Sequence, residues 1–386
     1  MTATPTKRKT PPGFWTAWTA VVIDLLSFGI IIPLLPLYAE RFQATPMTIG
    51  LLFASYSLAQ FVFSPIWGRV SDRVGRRPVM LITIAGSAIG SLLVGLAGSL
   101  AILFVGRIVD GVSGASVAVA RATVADVADP ADRPRLMGLL GAAFGLGFVI
   151  GPAIGALATL WGPQVPFLVA AGLSLANLVV AFVRLPETRG PGTLPATDAR
   201  PATDFRSGLV MRFVILTFVA ITAFSAFEAT FALLADERLA ITESGIALVF
   251  AGLGLVLVAV QGGMIGPITR RLGETSAIRL GLVLNTIGLA AISTADTWAL
   301  LVPGLVVLAL GQGIITPTLS SAVAGSTTPD RAGSALGFQQ SAGGLARVAG
   351  PLMGGALFAV SSPAPYLVAA GMTLVALPLV PSTDPA

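Results

Sequence analysis

Between residues 14 and 380 the chain is a succession of long apolar runs, with charge confined almost entirely to the short stretches between them. A helix that crosses a bilayer needs about 20 mostly apolar residues, because each backbone N–H and C=O must be satisfied within it. Windows bounded by charge or turn residues give twelve such runs. The first six lie at 14–38, 47–68, 79–98, 101–125, 136–160 and 166–185, and the second six at 209–235, 244–268, 277–294, 298–322, 332–360 and 365–380. Of the 386 residues 55% are hydrophobic and only 11% charged, which leaves no length for a sizeable water-soluble domain. The expected fold class is an all-α membrane protein with twelve transmembrane helices.

Several other classes fall away on composition. Lys7, Arg8 and Lys9 precede the first apolar run as they would in a secretion signal, but that run is too long for one and holds Asp24, Pro33 and Pro36. A net charge of +5 invites comparison with nucleic-acid binders, which gather basic residues on one wet face. Here they sit in loops between apolar runs, so no nucleic-acid partner is expected. The chain has no cysteine and no histidine, which removes disulfides, thiolate catalysis and the commonest metal ligands together. No metal, cofactor or enzymatic reaction is expected. Proton chemistry near neutral pH falls to carboxylates, because a low-dielectric site disfavours their charged form.

The basic residues also orient the chain. With both termini in the cytoplasm, 18 of the 23 lysines and arginines fall in the tail, the linker and the loops on that side. Arg41 and Arg238 fall outside, and Arg107, Arg121 and Arg347 lie within spans. Positive charge is retained on the cytoplasmic face during insertion, so this bias predicts cytoplasmic termini.

A stretch rich in Pro, Gly, Thr and Ala at 186–208 divides the runs six and six. The expected organisation is a tail at 1–13, a six-helix bundle at 14–185, a linker at 186–208 and a second bundle at 209–386. Two segments support a repeat. GRVSDRVG at 68–75 aligns on GPITRRLG at 266–273 (266 − 68 = 198), and GLGFVIGPAIGA at 145–156 aligns on GLARVAGPLMGG at 344–355 (344 − 145 = 199). Glycine-rich helices match by chance, but agreement in offset between two distant matches points to parallel repeats.

The charged island GRVSDRVGRRP at 68–78 resembles the loop signature of the major facilitator superfamily. Asp24 with Gly29, Pro33 and Pro36 resembles the first-span pattern of its twelve-span drug:proton antiporters. Arg107 with Gly111 and Gly114 resembles their fourth-span motif, and Gly147, Gly151, Pro152 and Gly155 resemble their fifth-span antiporter motif. The nearest likeness is to the tetracycline-resistance type, through GRVSDRVGRRP and AFGLGFVIGPAIG. That type carries further carboxylates in spans three and nine, where this chain has Ser87, Ser91 and Asn285, so multidrug efflux is the broader expectation. The resemblance implies two pseudo-symmetric six-helix bundles in the cytoplasmic membrane, acting as a monomer. By alternating access they would export small organic molecules against protons. The runner-up is a proton-coupled symporter for nutrient or metabolite uptake with the same fold, against which the fifth-span motif counts.

Site residues follow from charge, spacing and the resemblance. Ionisable groups inside spans are costly and face a cavity or a partner. Asp24 and Glu228 stand in spans that the repeat makes equivalent, and neither has a cation within its own helix turn, so they are the expected proton-coupling carboxylates. Arg107 would tune the first, and Asp110 either adds a proton site or neutralises Arg107 at i, i+3. At the island, Gly68 and Gly75 allow the turn. The resemblance implies a cytoplasmic latch in which Asp72, Arg76 and Arg77 join Asp126 and part when the cavity turns inward. The plainer alternative is charge anchoring alone. Because Arg270 stands where the second copy would need aspartate, the latch is expected to be one-sided. Spans one, four, seven and ten line the family's cavity, which nominates Phe28, Phe227, Phe231 and Gln312, with Gln339 and Gln340 from span eleven. The plainer reading of the phenylalanines is packing against lipid or neighbouring helices.

Overall fold

The computed structural model describes residues 13–128, 132–188, 208–328 and 331–382. Most of the expected tail and linker lies outside the described residues. The helices are α1 (Phe14–Glu40), α2 (Pro46–Val74), α3 (Arg76–Gly95), α4 (Leu100–Ser113), α5 (Ser116–Val127), α6 (Arg133–Ala158) and α7 (Val165–Arg184). They continue as α8 (Gly208–Leu239), α9 (Glu243–Ala259), α10 (Ile265–Leu272), α11 (Glu274–Ser293), α12 (Trp298–Gly325), α13 (Ala332–Phe358) and α14 (Ala364–Val375).

Two pairs of these helices are single rods with a local break. Gly114 and Ala115 interrupt α4 and α5, and a π-helical turn at Val260–Met264 joins α9 to α10. Among the described residues twelve rods result, and ten are long and apolar enough to cross a membrane. Helix α13 has the length at 27 residues but carries Gln339, Gln340 and Arg347. Helix α14 has only 12 residues and is extended by a 3-10 turn, Leu377–Leu379.

The helix starts follow local chemistry. Thr45, Ser99 and Thr242 each accept a backbone N–H three residues on, satisfying a donor the helix cannot. Left-handed corners recur at the repeat spacing. Gly75 (φ 111°) matches Gly273 (φ 78°), and Gln43 (φ 60°) matches Ala240 (φ 48°). Packing recurs as well. Helix α1 lies on α6 as α8 lies on α13, and α3 lies between α4 and α7 as α11 lies between α12 and α14. The halves meet crosswise, α2 on α13 and α6 on α9.

Alternation puts residue 13, the 74–76 and 272–274 turns, the end of α5, the start of α6 and residue 382 at one end, called here the terminal end. At the opposite end a single apolar core crosses between the halves, from Ile31, Leu35 and Leu52 to Phe227, Phe231 and Phe250. At the terminal end each half has its own core instead, around Val21 and Met80 in one and Phe213 and Leu319 in the other. The halves are therefore joined at one end and parted at the other.

Candidate functional site

Close packing of small residues brings charge into the first half. A side chain at Gly90 of α3 would overlap the backbone of Asp110, so α3 lies directly against α4. Asp110 then faces Ser87 and Ser91, and a small pocket lined by these three, Asp24, Ser27, Phe28, Ile31 and Tyr56 lies between the helices. Arg107 is fully buried. Its Nη1 donates to Asp110 Oδ2 at 3.1 Å, and its guanidinium lies 4.1 Å from the centre of the Tyr56 ring. Phe28 also packs on Tyr56, their ring centres 5.5 Å apart. The neutralising pair expected at i, i+3 is thus formed.

Asp24 is placed by the break in the fourth rod. Because the helix restarts after Ala115, Ser116 Oγ reaches back across to α1 and donates to Asp24 Oδ2 at 2.5 Å. Gln60 bridges the break by donating to the Gly114 carbonyl at 2.8 Å and to Tyr56 Oη at 3.2 Å. Ser116 and Tyr56 were not picked out from sequence. The trace of the break there is Gly111 and Gly114, with Ser113 and Ser116 beside them, in a run long enough to read as one span.

Glu228 sits alone in the second half. It is partly buried and makes no hydrogen bond or ion pair among the described residues, while Arg347 of α13 acts on it electrostatically. The same arginine acts on Tyr56 and Arg121 of the other half, so it stands near the middle of the molecule. Asp24 and Glu228 occupy matching helices but not matching positions. Gly151 lies on Leu26 and its repeat partner Gly350 on Thr222 (222 − 26 = 196), which pairs Glu228 with Ile32. Glu228 is therefore eight residues deeper than Asp24, about 12 Å towards the closed end.

The expected cavity residues divide. Phe28 lines the pocket beside Asp24. Phe227 and Phe231 do not line a cavity in this conformation. They are fully buried in the core shared between the halves, where both pack on Phe250. Helical spacing alone does not separate a cavity wall from a seal. Gln312 accepts from Asn285 Nδ2 at 3.2 Å, and Gln339 donates to Thr217 at 3.0 Å, so both are engaged within the second half. Gln340 is exposed on α13.

The antiporter motif makes backbone contacts. Gly147 packs on the Leu25 carbonyl of α1, Gly151 on Leu26 and Gly29, Pro152 near Gly29, and Gly155 against Leu34. Between the halves, Gly50 lies on the Pro351 carbonyl, Gly355 on the Pro46 carbonyl and Gly254 on the Phe148 carbonyl. Three hydrogen bonds cross at this closed end: Arg41 to Glu243 at 2.9 Å, Ser244 with Thr159 at 2.9 Å, and Ser244 to the Ala156 carbonyl at 2.7 Å. At the terminal end Gly68, Gly138, Gly141, Gly262, Gly263, Gly333 and Gly337 face open space.

The charged island is ordered at that open end. Gly75 turns the chain, and the first helical residue, Arg76, is buried. Arg76 reaches Asp72 at 2.8 Å, Asp126 at 2.7 Å and Ser71 at 2.6 Å. Glu187, just beyond α7, accepts the backbone N–H groups of Arg76 and Arg77 at 2.9 and 3.2 Å, and the Arg77 side chain donates to the Phe182 carbonyl. The latch was expected to part when the cavity turns towards the cytoplasm; in this form it is assembled, at the end where the halves are parted. All of these partners belong to one half, so separating the halves leaves them together. In the second copy Glu274 takes the place of Arg76 and accepts from Ser321.

Two halves of six helical rods, related by repeat and packed together at one end through a shared apolar core, are the arrangement of a major facilitator. The family model described as Major Facilitator Superfamily matches residues 17–260 and 213–386, and the chain belongs to that family. Among curated relatives it is 31% identical to the class B tetracycline resistance protein of Escherichia coli, over 90% of this chain and 88% of that protein. It is 28% identical to multidrug resistance protein 2 of Bacillus subtilis (strain 168), over 93% and 92%. Among solved structures it resembles the human organic anion transporter MFSD10, at 26% identity and a TM-score of 0.73 over 96% of this chain and 100% of that one.

Proposed function

We propose that this membrane transporter exports drug-sized organic molecules in exchange for protons. The observation that carries the proposal is the pair of carboxylates, Asp24 and Glu228, set within the spans on matching helices of the two halves, with no cation hydrogen-bonded to either among the described residues. A carboxylate in that setting gains or loses a proton as its surroundings alternate between water and protein. Asp24 keeps the Ser116 hydroxyl as its partner, and Arg107 with Asp110 forms a mutually neutralised pair that holds Tyr56 beside it. The names of the relatives, for tetracycline resistance and for multidrug resistance, support an organic drug as cargo. Ser87, Ser91 and Asn285 in place of acids favour a broad range of such compounds. Phe28, Gln340 and, once the closed end parts, Phe227 and Phe231 are the proposed contacts, with Gln312 and Gln339 behind them.

The basic loops at the terminal end support cytoplasmic termini, in which case the described form opens to the cytoplasm. On that reading Asp72, Arg76, Arg77 and Asp126 clamp the α2–α3 turn to α5 and the end of α7, so that the first half swings as one piece. Bundles at 14–185 and 209–386, a linker at 186–208 and a monomer without nucleic-acid contacts or catalytic chemistry complete the proposal. Proteoliposomes under an imposed proton gradient provide the test. Asp24→Asn and Glu228→Gln are each expected to abolish gradient-driven export, and unchanged export in both would sink the assignment. Co-transport in one direction would replace antiport with symport.

A further inference from the structure

The last helix is too short to complete its crossing, and the resulting gap is flanked by two arginines. Helix α14 packs between α8 and α11, yet it has 12 residues where its counterpart α7 has 20. At 380–382, beyond the 3-10 turn, the backbone is no longer helical, and its free carbonyls need donors within the membrane boundary. Arg279 of α11 supplies them, reaching the Pro381 carbonyl at 2.7 Å and the Val380 carbonyl at 3.4 Å. Arg212 of α8 stands across the gap, exposed and without a hydrogen bond or ion pair among the described residues. Together with Val283, Leu377, Pro378 and Ser382 these arginines line a groove at the terminal end.

Below the arginines the walls are apolar and exposed. Ile215 continues along α8, and Leu280, Val283 and Ile287 continue along α11 at helical spacing. Arg212 is the fifth residue of its helix and Arg279 the sixth, which sets both at headgroup level with the apolar stripes running towards the bilayer centre. We propose that this groove holds an anionic phospholipid of the adjoining leaflet, with its phosphate between Arg212 and Arg279 and an acyl chain along Leu280, Val283 and Ile287. A guanidinium pair matches a phosphate in charge and geometry, and a free anion would leave the stripes unused.

Native mass spectrometry of the full chain in detergent, titrated with phosphatidylglycerol, tests this. Arg212→Gln is expected to weaken lipid retention about fivefold, and R212Q/R279Q about thirtyfold. Because Arg279 also secures the final coil, R212Q alone keeps the proposal testable if the double variant misfolds. Arg184→Gln, an interfacial arginine at the end of α7, is expected to retain wild-type binding. Phosphatidylcholine should bind more weakly than phosphatidylglycerol, and excess inorganic phosphate should not displace the lipid. Wild-type retention by R212Q, equal loss in R184Q, or full displacement by inorganic phosphate would each overturn the assignment.

Discussion

Arg76 on α3 holds Asp126 on α5 at 2.7 Å while the end of the molecule that carries both stands open. The contact binds helices of one half to each other, so its strength is indifferent to the distance between halves. Asp126→Asn removes one charged partner of a buried guanidinium and leaves Asp72 and Ser71. The expected loss is about 2 kcal/mol of stability, read as a lower thermal midpoint in detergent. Transport by D126N and by Asp72→Asn should fall with substrate affinity intact, and an affinity loss alone would contradict the clamp.

Substituting Gly50 should redistribute the conformations. A Cβ there would run into the Pro351 carbonyl of the opposing half, which backbone cannot yield cheaply. Gly50→Leu is expected to disfavour the described form by about 1–3 kcal/mol, shifting the balance on the order of tenfold towards closure at the terminal end. The chain has no cysteine, so spin labels at R69C and R270C report the shift without background. An unchanged distance distribution would show that the α2–α13 contact does not set the balance.

The Arg107–Asp110 pair invites a double-mutant cycle. Arg107→Leu leaves a buried carboxylate uncompensated and should cost about 3–5 kcal/mol, whereas R107L/D110L removes both charges and should recover most of it. Gradient-driven export by the folded double variant separates the two roles. Retained coupling makes the pair a support for Tyr56, and lost coupling makes Asp110 a second proton site.

Glu187 is the sole carboxylate accepting the first backbone N–H groups of α3 among the described residues. Glu187→Gln keeps the shape and loses the charge at a helix start. A loss of about 1 kcal/mol is expected, measured by thermal unfolding or by faster hydrogen exchange at residues 76 and 77. Exchange as slow as in the wild type would rule the cap out.

Much of the architecture was legible because membrane helices announce themselves by length and because two distant matches shared an offset. The charge pattern of the island was equally plain, down to the loss of aspartate at Arg270. What could not be read was depth and partnership. Asp24 and Glu228 look equivalent by span, but the glycine contacts set them eight residues apart. The Ser116 bond depends on a helix break inside a stretch whose length and mean hydropathy read as a single span. Glu187 lies in a stretch that composition assigns to a linker, though it closes the α3 start. Phe227 and Phe231 occupy positions compatible with either wall or seal, and the choice depends on the neighbour, Phe250, that another helix brings.

The core shared between the halves has a thermodynamic corollary. To admit water from its closed end the molecule must uncover Phe227, Phe231, Phe250 and the isoleucines and leucines that face them, and wetting such a surface is unfavourable. Opening that end therefore carries a hydrophobic cost that binding energy must offset. An amphiphilic passenger that coats those rings as they part would lower the cost of its own release path, which makes greasiness itself a selection criterion.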